Sequence, residues 1–243
     1  MKRTVNQSRD MCAETLLAID FSTSFRSIAI METEARRVLA RVDTETGLTG
    51  PVPGAVPSEG ICACVNRLLD QLHLDDRQVD TLAVGVGPGS YTGIRAAIAF
   101  AQGWNLATGL KLAAVSTADA LALRALRLGW QGEIEILIDA QRNEFYHAVY
   151  LTGTDADPIP RQVKPLSIIS QTEALERVKN SDQVGGPDLG RLLPEAKPLY
   201  PQAEDLAVLA LERKSFIEPE DMAPIYLRPV QFVKVKNTRA LPL

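Results

Sequence analysis

Few cysteines and histidines occur in this chain, and their scarcity excludes several kinds of protein. Three cysteines in 243 residues do not support a disulfide framework, and they indicate a reducing compartment. The two histidines, His73 and His147, lie far apart and form no short-range metal-binding pair. The local sequence also shows no Ser/His/Asp or Cys/His arrangement of a nucleophilic enzyme. We therefore expect no metal centre and no triad-type hydrolase.

The chain also has no excess of basic residues and no long apolar run. Lys and Arg number 26 against 30 Asp and Glu, which gives a net charge of −4. Strong nucleic-acid binding by the chain alone is not expected, because phosphate neutralisation normally requires a basic surface. No stretch approaches the roughly 18 apolar residues of a membrane span, and no apolar signal segment follows Met1. The composition predicts a cytoplasmic globular protein.

The hydrophobic pattern repeats one order of elements in the two halves of the chain. Each half predicts three consecutive strands, a helix and a further strand, and the first strand ends in an acid, Asp20 or Asp139. The predicted strands are 16–20, 26–31, 37–42, 81–85, 112–115, 135–139, 144–151, 163–169 and 184–187. The predicted helices are 58–72, with Ser58 as N-cap, 91–108, 117–128, 172–179 and 205–214.

This order predicts an α/β protein with two duplicated mixed-sheet lobes, the arrangement of the actin-like or ribonuclease-H-like (ASKHA) fold. We assign residues 14–129 to an N-terminal lobe and residues 130–230 to a C-terminal lobe. Residues 1–13 are predicted to form a loose extension, and residues 231–243 a basic tail.

A glycine-rich segment before the 91–108 helix is the most distinctive local pattern. It lacks the G-x-G-x-x-G spacing of a dinucleotide site, the lysine of a P-loop and the G-x-S-x-G of a nucleophile elbow. A tight turn with Ser90 as helix cap is favoured over an anion site at the helix N-terminus. The residues that would make degenerate phosphate-type loops are Asp20, Ser22, Thr23, Gly87, Gly89 and Ser90. A meeting of Asp20 and Asp139 across the cleft, as metal ligands or a base, is the alternative catalytic arrangement.

Two helices of the N-terminal lobe are candidates for a surface that binds a partner. The 58–72 helix carries an apolar stripe, and the 91–108 helix carries small residues every four positions, which let another backbone approach closely. The predicted partner contacts are Ile61, Val65, Leu68, Gly93, Ala97 and Ala101. The sequence does not tell whether these faces point outward or toward the lobe's own sheet.

Four blocks of sequence resemble one known family, in the same order. Residues 16–24 resemble its opening I-L-A-I-D-T-S-T, and residues 87–95 resemble its central G-P-G-S-F-T-G-[LVI]-R. Residues 138–146 resemble I-D-A-R-x-G-E-V-Y, and residues 224–228 resemble P-x-Y-L-R. The family is TsaB, also called YeaZ. Its motif positions here include Pro88, Tyr91, Thr92, Arg95, Asp139, Tyr226 and Arg228.

The resemblance implies a non-catalytic, actin-like paralogue of TsaD, which carries the metal and transfers the threonylcarbamoyl group. Members pair with TsaD through helices of the N-terminal lobe, and the ATPase TsaE joins them. The complex modifies the adenosine beside the anticodon in tRNAs that read codons starting with A. The resemblance therefore implies no cofactor for this chain and contact with tRNA only through the complex. Alone, we expect the chain to self-associate through the same helices.

Two departures from the family pattern fall in turns, where Phe21 replaces a threonine and Asn143 replaces a glycine. The loss of a hydroxyl at Phe21 weakens any nucleotide site in the first turn. Two other functions are left open: an actin-like ATP-dependent small-molecule kinase and a metalloprotease of the glycoprotease type.

Overall fold

The structure, a computed structural model, describes residues 14–43, 60–152 and 159–228. Its strands are β1 (Thr15–Asp20), β2 (Ser27–Glu32), β3 (Arg37–Asp43), β4 (Thr81–Gly85), β5 (Lys111–Val115), β6 (Glu133–Asp139), β7 (Glu144–Leu151), β8 (Arg161–Ser170), β9 (Val184–Gly186), β10 (Lys197–Pro198) and β11 (Phe216–Ile217). Its α-helices are α1 (Ile61–Leu72), α2 (Tyr91–Thr108), α3 (Thr117–Arg127), α4 (Gln171–Asn180) and α5 (Ala203–Arg213). The predicted extension 1–13, the predicted cap Ser58 and the predicted tail 231–243 lie outside the described residues.

The strands form two mixed sheets that repeat one arrangement. The first sheet has the order β11-β5-β4-β1-β2-β3, and the second has the order β10-β9-β6-β7-β8. In each, an antiparallel meander is extended by parallel pairing on its first strand, β1 with β4 and β6 with β9. The predicted fold class, two duplicated mixed-sheet lobes, is confirmed.

Strand β1 lies in the middle of the first sheet, and all six of its residues are buried. Because neighbouring side chains of a strand point to opposite faces, Leu17 and Ile19 pack with α1 and α2, whereas Leu16 and Ala18 pack with α5. This two-sided burial explains why the strand appears in the sequence as a continuous apolar run.

Helices α3 and α5 lie between the two sheets, and each packs on the sheet of the other half of the chain. Helix α3 packs on β6 and β7 of the second sheet, and α5 packs on β1, β2 and β4 of the first. Strand β11 also pairs with β5, so the chain after Ala203 returns to the first sheet. The predicted boundary between lobes 14–129 and 130–230 is therefore wrong for these segments. Hydrophobic periodicity shows that a helix is amphipathic, but it does not show which sheet the helix covers.

The six predicted partner contacts on α1 and α2 face the core, which corrects that prediction. All six are buried against the first sheet: Ile61, Val65, Leu68, Gly93, Ala97 and Ala101. The apolar stripe of a helix in a globular protein normally covers its own sheet, and here Gly93 lets α2 approach the turn after β1 closely. Any partner of these helices must therefore contact their other side.

Candidate functional site

The turn after β1 packs directly on the glycine-rich segment that begins α2. A Cβ atom on Gly89 would lie 2.1 Å from the Ser22 carbonyl oxygen, and one on Gly93 would lie 1.9 Å from that of Phe21. The Ser90 amide donates to the Ser22 carbonyl at 2.6 Å. The Ser90 hydroxyl in turn accepts from the Gly93 amide at 3.3 Å, as expected of an N-cap. These glycines are required for close backbone contact, which supports the tight-turn interpretation of the segment.

Asp20, at the end of β1, is fully buried and is used within its own turn. Its Oδ1 atom accepts from the amide and the hydroxyl of Ser22, at 2.8 and 2.6 Å. Its Oδ2 atom accepts no short hydrogen bond among the described residues, and the nearby Thr117 hydroxyl weakly stabilises the charged form. Burial raises the pKa of Asp20 to about 6, and the hydrogen bonds from Ser22 oppose that rise. Gly85 leaves room for the carboxylate, because a Cβ there would lie 2.1 Å from Oδ2.

Asp139 occupies the equivalent position at the end of β6, and its surroundings differ. Its two oxygens accept from the amide and the side chain of Gln141, at 2.7 and 3.0 Å. Gln141, Arg142 and Asn143 all have positive φ, near 60°. Asn143 therefore keeps the left-handed turn that glycine would adopt, since Asn is among the residues that tolerate this region best.

A cavity of about 650 Å³ separates the two halves of the molecule at these turns. The residues lining it come from both halves and from the C-terminal segment: Ser22, Thr23, Ser24, Arg26, Gly89, Ser90, Tyr91, Ile138, Asp139, Ala140, Gln141, Tyr146, Pro187, Asp188 and Tyr226. Asp139 lies on its wall, but buried Asp20 does not line it. The predicted pair of acids thus does not face this cavity together.

The polar groups of the two predicted phosphate-type loops mostly bond within the protein. The amides of Ser22, Ser24 and Ser90 donate to Asp20, Asp188 and the Ser22 carbonyl, respectively. The Thr23 hydroxyl donates to the Phe25 carbonyl at 2.7 Å. A bound phosphate would need amides and hydroxyls that point into the cavity. The hydrogen bonds of these two loops are therefore those of tight turns, and they leave few donors for a phosphate.

A C-terminal segment that includes the P-x-Y-L-R block lies beside this cavity, and its Tyr226 lines the wall. The ring of Tyr226 stacks on Tyr91 at 5.6 Å, and Arg95 donates to the Tyr91 hydroxyl at 2.5 Å while lying over its ring. Arg228 pairs with Glu144 and also donates to the Gln141 carbonyl at 3.1 Å. The block therefore ties the start of α2 to the β6–β7 turn.

Sequence reasoning missed Asp188, which connects the two halves. It follows Pro187 in a loop after β9, and no motif marks it. Only the duplicated order of elements could have suggested that this loop faces the first turn. Thr92, one of the family's motif positions, is exposed.

The outer face of α1 and α2, defined here by their exposed residues, is the other candidate site. On α2 it consists of Tyr91, Thr92, Arg95, Ala96, Ala99, Gly103, Leu106 and Ala107; on α1 it consists of Cys62, Ala63, Asn66, Arg67, Asp70 and Gln71. Leu106 is 89% exposed, and a Cβ on Gly103 would meet no atom within 4 Å. This face is therefore open, and its α2 part is mainly apolar and small.

Comparison with known proteins identifies the family. The family model for TsaD, tRNA N6-adenosine threonylcarbamoyltransferase, matches residues 52–176, about half of the chain. The tRNA threonylcarbamoyladenosine biosynthesis protein TsaB of Escherichia coli (strain K12) is 30% identical over 164 residues, which cover 62% of this chain and 71% of that protein. The chain belongs to the TsaB (YeaZ) family. The match to the TsaD model shows that about half of this chain is similar to that family as well.

Two further relatives agree with the TsaB assignment. TsaB of Haemophilus influenzae is 32% identical over 136 residues, or 54% of this chain and about half (52%) of that protein. The solved structure of YeaZ from Pseudomonas aeruginosa superposes with a TM-score of 0.69 at 29% identity, covering 88% of this chain and all of the other. The family predicted from the four sequence blocks and the fold predicted from the order of elements are thus confirmed.

Within the described residues of this TsaB-family chain, no group of three or more His, Cys, Asp or Glu side chains is arranged to hold a metal ion. The helices described there are also too short or too polar to cross a membrane.

Proposed function

We propose that this chain is a non-catalytic partner subunit in tRNA threonylcarbamoyladenosine biosynthesis, the process for which its TsaB relatives are named. It pairs with TsaD through the outer face of α1 and α2, and TsaE joins the pair. Contact with tRNA comes through the complex, in keeping with the net charge of −4.

The observation that carries this proposal is the contrast between the cavity and the outer face. The cavity's amides and hydroxyls mostly bond within the protein, so they are poorly placed to hold a nucleotide or to stabilise a transition state. This argues against the alternative of an ATP-dependent small-molecule kinase. The outer face, in contrast, offers open small residues and the almost fully exposed Leu106.

The chemistry of the outer face fits a packed helical interface. Ala96, Ala99, Gly103 and Leu106 follow one another at three- and four-residue steps, so they lie along one side of α2. Small side chains allow a partner helix to approach closely, and a leucine at the end of the row supplies apolar area to bury. In the absence of TsaD, the same side provides a surface for self-association.

Charge substitutions on the two sides of α2 test the proposal. Ala99→Glu places a carboxylate on the exposed side, and we expect the chain to fold normally but to lose co-elution with TsaD in size-exclusion chromatography. Leu175→Glu, on the exposed part of α4, is the matched control and should leave co-elution unchanged. Co-elution of the Ala99→Glu variant at the wild-type level would exclude this face as the interface.

A buried substitution on the same helix separates loss of folding from loss of pairing. Ala97 is 0% exposed, and Ala97→Glu should lower the thermal midpoint strongly, because a charge enters the core without a partner.

Steady ATP turnover by the purified wild-type chain, with magnesium and without TsaD or TsaE, would contradict the non-catalytic role and favour the kinase.

A further inference from the structure

One carboxylate joins the two halves of the molecule across the cavity. Asp188, in the loop after β9, accepts from the Ser24 hydroxyl through Oδ1 at 2.6 Å. Its Oδ2 atom accepts from the Ser24 amide at 3.4 Å. The Tyr200 hydroxyl also donates to Oδ1, at 3.2 Å. A single side chain of the second half therefore receives an amide and a hydroxyl from the turn after β1.

This set of donors is one that would suit an anionic ligand. A backbone amide and a serine hydroxyl from one turn, converging on one point, are typical donors to a phosphate oxygen. Ser24 presents both groups on the side of the turn that lines the cavity. In this chain a carboxylate from the protein receives them.

The position of Asp188 is fixed by its backbone and its neighbours. Its φ is 57°, in the left-handed region, which Asp tolerates better than most residues. The ring of Tyr200, which donates to Asp188, packs on Phe25 of the β1–β2 turn at 5.7 Å. The carboxylate is thus held by residues from both sides of the cavity.

We propose that Asp188 occupies an anion site on the β1–β2 turn as an internal anion, and that its removal opens this site to a phosphate group. In the intact chain the carboxylate ties the two halves together without any ligand, and it repels phosphates through its negative charge. This inference concerns the cavity alone, so its test does not depend on TsaD or on the proposed function.

The test is a titration of the purified chain with inorganic pyrophosphate in the absence of metal. Binding is monitored through the Ser24 amide signal in ¹H–¹⁵N NMR spectra. Asp188→Gly removes the carboxylate, and glycine accepts the positive φ at this position. We expect pyrophosphate to bind this variant about tenfold or more tightly than the wild type, since a charge-assisted acceptor is lost and two donors are freed. The Ser24 amide should shift on titration in the variant and not in the wild type.

Asp139→Asn is the matched control, because it removes the same charge from the same cavity and leaves Ser24 bonded to Asp188. Little or no gain in this variant supports the proposal. An equal gain for Asp139→Asn and Asp188→Gly would overturn it in favour of net charge alone. Binding by the wild type with a Ser24 shift, or no gain for Asp188→Gly, would overturn it as well.

A second substitution keeps the test valid if the glycine variant does not fold. Asp188→Asn removes the charge, Asn tolerates the left-handed backbone, and its amide group can itself donate to an anion. We expect this variant also to bind pyrophosphate more tightly than the wild type, with the same Ser24 shift. Failure of a folded Asp188→Asn chain to do so would contradict the proposal.

Discussion

The substitution Asp20→Asn should stabilise the chain at neutral and alkaline pH. Asp20 is the acid at the end of β1, fully buried, with burial raising its pKa to about 6 from an ordinary value of 3.8. Asn keeps an oxygen that accepts from the amide and the hydroxyl of Ser22. Its amide group replaces the Oδ2 atom, which accepts no short hydrogen bond, and can donate to the nearby Thr117 hydroxyl oxygen.

The size and sign of the effect follow from the pKa. Because the pKa of Asp20 is higher in the folded chain than in the unfolded chain, its contribution to stability is fully present below pH 3.8 and is lost as the pH rises through about 6. The difference between these two values, at about 1.4 kcal/mol per pH unit, amounts to about 3 kcal/mol. Asn has no such dependence, so the gain of the variant should grow over this pH range.

The assay is urea denaturation of the wild type and the Asp20→Asn variant at several pH values from 4 to 8. We expect the free energy of unfolding of the variant, relative to the wild type, to rise by about 2.5 kcal/mol between the two ends, since part of the full difference is already present at pH 4. A difference that stays constant with pH, or a variant that is less stable than the wild type at pH 8, would show that the argument from burial is wrong.

Three further substitutions test the packing of the turns, of α2 and of the second sheet. In a thermal unfolding assay, Gly93→Ala should destabilise the chain by more than about 1 kcal/mol, because the new methyl group would lie 1.9 Å from the Phe21 carbonyl oxygen. Gly103→Ala, on the open side of α2, should instead stabilise the chain by about 0.5–1 kcal/mol, because alanine favours a helix more than glycine does. His147→Ala should cost about 1–3 kcal/mol at pH 7, because it leaves buried Glu135 without the hydrogen bond at 2.7 Å that lowers the pKa of that carboxyl. This cost should shrink as the pH falls below about 4.5, where Glu135 is protonated in the unfolded chain, and a cost that does not change with pH would contradict the reasoning.

Local sequence patterns predicted most of the elements correctly. The helix over 91–108 has the predicted bounds, because Ser90 caps its start and Gly109, with a φ of 74°, ends it. Helix α1 begins at Ile61, and its predicted start at residue 58 lies outside the described residues. Buried strands such as β1 were recognisable because both of their faces are apolar.

The features that the sequence did not reveal depend on contacts between distant segments. The exchange of α3 and α5 between the sheets and the pairing of β11 with β5 join residues that are far apart in the chain. The orientation of α2 has a similar origin. Both of its sides carry small residues, so composition could not distinguish Ala97, at 0% exposure, from exposed Ala99.

The candidate site was predicted only in part. The sequence indicated a tight turn at Ser90 and the absence of a complete phosphate loop, and the geometry of the loops agrees with both. It gave no sign of Asp188, since one acid in a Pro-Asp loop has no distinctive pattern. Asp188 contacts Ser24, which lies 164 positions earlier in the sequence, so no local pattern could reveal the contact.

The central claim, that the chain acts through the outer face of α1 and α2, is tested most directly by hydrogen–deuterium exchange with and without TsaD. We predict that TsaD slows exchange in α1 and α2 and leaves α4 and β8 of the second sheet unchanged. Protection of α4 or β8, with none in α1 and α2, would contradict the account.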